Sequence, residues 1–180
     1  MRVLRESGEL RGRAGPAGHG QGVGDPDGLI AQAALTWIGT PFHHQARGPK
    51  GPGGGTDCIG LLVGVAQELG LVANDGRAYS REPHPEQLLE RMASSCDRLS
   101  GEEPLQLRKD TGAEQFVSLG RIALFFFTYQ AKPQHAGIIT KDGFVHTYAG
   151  ALDREVKEHN WTASWKSRLH SVWAYRWLSP

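Results

Sequence analysis

The chain has 180 residues, 39% of them apolar, and a formal net charge of +1. That length suits one domain with a tail, and the apolar share suffices for a single core. The near-neutral charge does not mark a nucleic-acid or membrane-surface binder, and no apolar run approaches the roughly 20 residues of a membrane-spanning helix.

The first stretch, "MRVLRESGELRGRAGPAGHG", is basic and lacks the apolar segment of a secretory signal. Synthesis and folding in a cytoplasm are therefore expected. Residues 1–27 are rich in Gly, Arg and Pro without a period, which predicts a flexible tail, and residues 28–180 then form the domain. In "GLIAQAALTWIG" the apolar positions Leu29, Ile30, Ala33, Ala34, Trp37 and Ile38 recur at helical spacing. They predict a helix over 28–38, with Asp27 as its N-cap and Gly39 as its stop. A long loop, "TPFHHQARGPKGPGGGT", follows. The next helix is expected to start at or just before Cys58, with Ile59, Leu62, Val63, Ala66 and Leu69 as its stripe and Gly70 as its end. Turn residues occupy 71–85, "PEQLLERMASS" reads as a third helix, and the polar stretch 97–118 has no readable period.

From Gly120 the pattern changes. "RIALFFFTY" reads as a central strand. "HAGIITKDGFVHTYA" reads as a hairpin of strands 135–141 and 144–149 around Asp142-Gly143. In "SVWAYRWL" one alternating set of side chains, including Val172 and Ala174, faces away from Trp173, Tyr175 and Trp177, as in a strand. Helices first and an antiparallel sheet second predict an α+β domain.

The chemistry centres on "GGGTDCIGLL". A helix start carries partial positive charge and free N–H groups. A cysteine there is expected to have a lowered thiol pKa, and the same N–H groups suit an oxyanion. Cys96, the other cysteine, reads as a small buried hydrophobe. A thiol nucleophile needs a base. Of the eight histidines, His135 opens a predicted strand and His146 lies on its hairpin partner, so the two should meet across the ladder as base and orienting residue. His19 falls in the tail, and His84, His159 and His170 lie in polar stretches and read as solvated. A metal site is not expected. There is no CxxC or HExxH, and the adjacent His43 and His44 diverge. No cofactor is expected either.

Three stretches resemble the NlpC/p60 family of cell-wall cysteine peptidases. "WIGTPFHHQARGPKGPGGGTDCIGLL" is similar to the family's W-x-G-T-P-Y leader and D-C-x-G-[LF] nucleophile motif. "GRIALFFF" resembles its P-G-D-[LV]-x-x-F strand, and "HAGIITKDGFVHTYAG" its H-[VA]-G-I…F-[IV]-H-A segment. The resemblance spans roughly residues 29–178. It implies a papain-like α+β fold with Cys58 as nucleophile, His135 as general base and His146 as the orienting third residue. It also implies peptidoglycan stem peptides as substrate, cut between γ-D-glutamate and a diamino acid. Asp57, Ile59, Phe42 and His44, in or beside the matched motifs, are the expected substrate-facing residues. Three positions depart from the family pattern: Ile59 where many members have serine, Phe42 for the leader's tyrosine, and Arg121 for the acid of P-G-D. "WIGTPFHHQA" and "WKSRLHSVWAYRW" look like the phage-tail and gene-transfer-agent branch. That branch implies a tail-tip enzyme assembled with other tail proteins and acting on the periplasmic wall. Two alternatives stay open: a structural tail-tip protein with an unused peptidase fold, and an amidase of the CHAP type.

Overall fold

The computed structural model describes residues 25–76, 79, 85–100, 117–127, 132–149 and 154–177. Residues 1–24 of the expected tail, most of the 97–118 stretch, His19 and His84 lie outside the described residues.

Helix α1, Pro26–Leu35, starts earlier and ends earlier than the periodicity predicts. Asp25, not Asp27, is the N-cap, accepting from the Asp27 N–H, and Pro26 at the first helical position needs no N–H partner. Beyond Leu35 the bonds tighten, Trp37 N–H donating to the Ala34 carbonyl and Ile38 N–H to that of Leu35, and the chain turns toward Gly39. Gly39 follows at φ +84, its N–H donating to the Val156 carbonyl. Helix α2, Cys58–Leu69, has the expected bounds. Asp57 caps it and Gly70 closes it in the left-handed conformation at φ 66. A Cβ on Gly64 would stand 2.3 Å from the Trp37 ring, so glycine there admits the indole that joins α1 to α2. Helix α3 is Pro85–Ser95.

The strands are β1 (Cys96–Arg98), β2 (Ile122–Phe125), β3 (His135–Ile139), β4 (Gly143–Thr147), β5 (Val156–Asn160) and β6 (Leu169–Tyr175), with a short helix α4, Ala163–Lys166, between the last two. They form one sheet in the order β1-β6-β2-β3-β4-β5, antiparallel throughout. The β3–β4 hairpin pairs Ile139 with Phe144, so its turn is wider than the Asp142-Gly143 pair alone, and Thr140 closes it by accepting from the Gly143 N–H.

Alternation along the strands sends side chains to two cores. Ile122, Leu124, Ala136, Ile138, Val145, Val156, Trp173 and Tyr175 join the stripe of α2 and Met92 of α3. Ala123, Phe125, Ile139, Phe144, Leu169 and Val172 form a second cluster on the opposite face, against Trp161 and Trp165. A register shift between Leu124 and Phe125 lets both Leu169 and Val172 reach that second cluster despite their odd separation. Burying a side chain the size of Phe125 or Phe144, both fully buried, contributes about 2–3 kcal/mol. Arg121 forms an ion pair with Asp27, 2.5 Å apart, tying the entry of β2 to the start of α1.

Candidate active site

Cys58 is the first residue of α2, and its position is set by Asp57. Asp57 Oδ1 accepts from the Gly60 N–H at 2.8 Å, the N-cap bond. Its Oδ2 accepts from the Gln45 N–H at 2.7 Å and from the Tyr79 hydroxyl at 2.6 Å. Arg47 Nη1 lies 3.5 Å from Oδ1, and His44 Nδ1 3.8 Å from Oδ2. Gln45 takes a positive φ of 59, uncommon for a non-glycine residue, and its bonds to Asp57 and to the Tyr79 carbonyl hold it there. The carboxylate therefore pins the 44–47 loop and Tyr79 to the start of the helix.

Cys58 is partly exposed as a residue, but its thiol is closely surrounded by protein. The nearby backbone N–H groups of Ala136, Ile59 and Cys58 itself favour the thiolate. Burial first, and the nearby Asp57 charge second, act the other way and dominate, pushing the thiol from 9.0 up to about 12. The lowered thiol pKa expected from the helix start is thus not what the resting site has, because desolvation outweighs the N–H groups. Cys96 is buried as expected, and burial pushes its thiol up to about 11.

Ala136, one of these neighbours, follows His135 in β3. The His135 ring bonds to His146 rather than to the thiol, with Nε2 and Nδ1 2.6 Å apart. The two histidines meet diagonally. Gly137, Phe144 and His146 crowd together so closely that a Cβ on Gly137 would stand 3.2 Å from His146 Cβ. Burial, and the charge of His159 after it, lower the His135 pKa to about 3. Burial, then His135 and His159, lower that of His146 to about 2. Both rings are neutral at rest.

Two histidines sit otherwise than the sequence predicts. His159, expected to be solvated, stands on β5 with Nδ1 2.5 Å from His146 Nε2. It is half-buried and stacks on Trp165, ring centroids 6.2 Å apart and 28° from parallel. The usable signal was its place on a strand pairing with β4, visible only once β5 is known. His170, also expected to be solvated, is buried and bonded to the Ser171 hydroxyl, and burial lowers its pKa to about 4.

Of the expected substrate-facing residues, Ile59 and Asp57 are turned into the protein and Phe42 and His44 are partly accessible. Ile59 is 6% exposed and packs in the helix-side core. The Asp57 oxygens are occupied internally. Phe42 and His44 are half-buried; Phe42 lies beneath the Arg154 guanidinium, and His44 meets the Tyr79 ring edge-on. Phe127, Tyr148 and Trp165 surround the His135 ring. Among the described residues no group of three or more His, Cys, Asp or Glu side chains is arranged to hold a metal ion, and no helix is long and apolar enough to cross a membrane.

Helices packed on an antiparallel sheet, with a cysteine opening the helix that leans on a histidine-bearing strand, make this an α+β domain of the papain-like kind. Solved structures of NlpC/P60 proteins share the fold. The chain is similar to NlpC2 from Trichomonas vaginalis (TM-score 0.59, 16% identity, 86% of this chain and 49% of that one). It is also similar to NlpC1 from the same organism (0.54, 17%, 88% and 47%) and to an NLP/P60-family protein, similar to a lipoprotein, from Staphylococcus aureus (0.50, 17%, 89% and 45%). At these identities the likeness is one of fold, and the chain spans about half the length of each. No protein-family model and no curated protein matches it.

Proposed function

We propose that the protein is a thiol peptidase of the NlpC/p60 kind that cuts peptidoglycan stem peptides at the γ-D-glutamyl–diamino acid bond. One relationship carries this reading. Cys58 opens α2, α2 packs on β3, the strand that His135 begins, and His135 is in turn hydrogen-bonded to His146. In this mechanism the thiol and His135 start neutral. The Cys58 proton passes to His135 as sulfur attacks the scissile carbonyl carbon, so the charges arise as a pair, each favouring the other. The N–H groups of Cys58 and Ile59 face the oxyanion. His135 gives its proton to the leaving amine as the C–N bond breaks. Water, deprotonated by His135, then attacks the acyl carbon; the C–S bond breaks to free the acid, and His135 returns the proton to the Cys58 sulfur.

Digestion of purified sacculi by the wild type and by Cys58→Ala, with fragment masses measured, tests the proposal. Stem-peptide fragments are expected from the wild type alone. Equal release by Cys58→Ala would overturn the nucleophile assignment, and fragments cut at the sugar–peptide amide would turn the reading to a CHAP-type amidase.

The proposal extends to a phage or phage-like tail tip, with other tail-tip proteins as partners and the periplasmic wall as the place of action. Its support is the likeness of "WIGTPFHHQA" and "WKSRLHSVWAYRW" to that branch. Recovery of the chain in purified particles tests it. A second reading, a structural protein with an unused peptidase fold, is favoured by one observation, the thiol raised to about 12.

A further inference from the structure

We propose that His159 is a positioning residue of the thiol site, accepting a hydrogen bond at Nδ1 that holds His146 as its Nε2–H tautomer and so leaves His135 Nδ1 free to take the thiol proton. The inference rests on the thiol-site reading above.

His146 is fully buried, with both ring nitrogens against other imidazoles: Nδ1 is 2.6 Å from His135 Nε2, and Nε2 is 2.5 Å from His159 Nδ1. A neutral imidazole has one N–H, so one contact must be donated and the other accepted. Only two arrangements satisfy both. In the first, His135 Nε2–H donates to His146, and His146 Nε2–H donates to His159. His135 Nδ1 then carries a lone pair. In the second every donor is reversed, and His135 Nδ1 already holds a proton, which disables it as a base. His135 Nε2 is engaged in either case, so Nδ1 is its only nitrogen available to the thiol.

The residue at 159 selects between them. His159 is half-buried, whereas His135 and His146 are buried. With its proton on Nε2, the tautomer a neutral histidine side chain ordinarily favours, it accepts at Nδ1, and stacking on Trp165 holds the ring plane so that Nδ1 faces His146. The close approach of β5 to the β3–β4 turn keeps the contact short, since a Cβ on Gly143 would stand 1.9 Å from the His159 carbonyl oxygen.

The test combines ring-nitrogen NMR of the histidine-labelled full chain with turnover of a soluble stem peptide. In the wild type, His146 is expected to be protonated at Nε2 and bare at Nδ1. His159→Leu removes the acceptor. It should produce a mixture of His146 tautomers and lower kcat about 10-fold with KM unchanged. His159→Asn places an amide oxygen near the lost Nδ1 and should restore both within about 3-fold. A wild-type His146 protonated at Nδ1 would overturn the proposal whatever the variants do. So would a folded His159→Leu with wild-type tautomer and kcat, or a His159→Asn no better than His159→Leu. If the wild type hydrolyses no peptide, the peptidase reading fails, while the NMR result still decides the hydrogen-bond direction.

Discussion

Gly137 and His146 touch across the β3–β4 ladder. A Cβ on Gly137 would lie 3.2 Å from His146 Cβ, 3.1 Å from the Val145 carbonyl oxygen and 2.9 Å from the Phe144 ring. Phe144 and Val145 are fully buried and cannot swing aside. Gly137→Ala is therefore expected to destabilise the protein by about 1–3 kcal/mol through overpacking and to displace the His146 ring from His135. Urea unfolding measures the first effect. Turnover at saturating substrate, expected to fall at least several-fold, measures the second. A variant as stable and active as the wild type would show that the ladder opens at no cost.

Asp57 holds the 44–47 loop and Tyr79 to the helix start while its charge raises the Cys58 pKa. Asp57→Asn keeps one oxygen for the N-cap but loses acceptors for Gln45 and Tyr79. A stability loss of about 1–2 kcal/mol is expected. With the negative charge gone the thiol pKa should fall, so alkylation of Cys58 by iodoacetamide at pH 8 should quicken. An unchanged rate would mean that the carboxylate does not act on the thiol.

Thiol labelling also separates the enzymatic from the structural reading. The resting thiols of Cys58 and Cys96, raised to about 12 and about 11, should both be nearly unreactive at pH 7.5 if nothing assists them. Assistance by His135 predicts that Cys58 reacts much faster than Cys96 and that His135→Ala abolishes the difference. Equal slow rates favour the structural reading. Hydrolysis should follow the same order, with His135→Ala more damaging than His146→Ala, because the base moves the proton and the third residue orients it. The reverse order would reassign the roles.

Acid should destabilise the fold early. His135 and His146 have folded pKa values lowered from 6.5 to about 3 and about 2, and His170 shifts in the same direction. Below 6.5 the unfolded chain binds protons that the folded one excludes. Stability is therefore full above about pH 6.5 and falls as pH drops toward 3, by on the order of 1 kcal/mol per pH unit for each such histidine. Urea titrations at pH 7.5, 6 and 5 should show the decline, and a His135→Gln, His146→Gln variant should show a shallower one. A wild-type profile flat from 7.5 to 5 would mean that these rings are not held neutral.

Much of the architecture was legible in the sequence because it is encoded locally. The bounds of α2 follow from an Asp cap, an apolar stripe and a closing glycine within fourteen residues of chain, and the hairpin from two apolar runs around one turn. The start of α1 was misread by two residues, since Asp25 and Asp27 are both competent caps and only the geometry of Pro26 chooses. That His135 and His146 share a face was also readable, because a two-residue change of register keeps the side-chain alternation; their contact was not, since a tight turn at Asp142-Gly143 would set His146 opposite Ile139, whereas the wider turn sets it opposite Gly137, two residues from His135. Side-chain environment was not readable. The sequence by itself determined which thiol opens a helix and which two histidines share a hairpin. Only the tertiary structure decided that Asp57 turns inward, that Ile59 belongs to the core, that β5 brings His159 to His146, and that burial raises the thiol it had been expected to lower. Each of those depends on water removed by segments distant in the chain, and no local pattern records that loss.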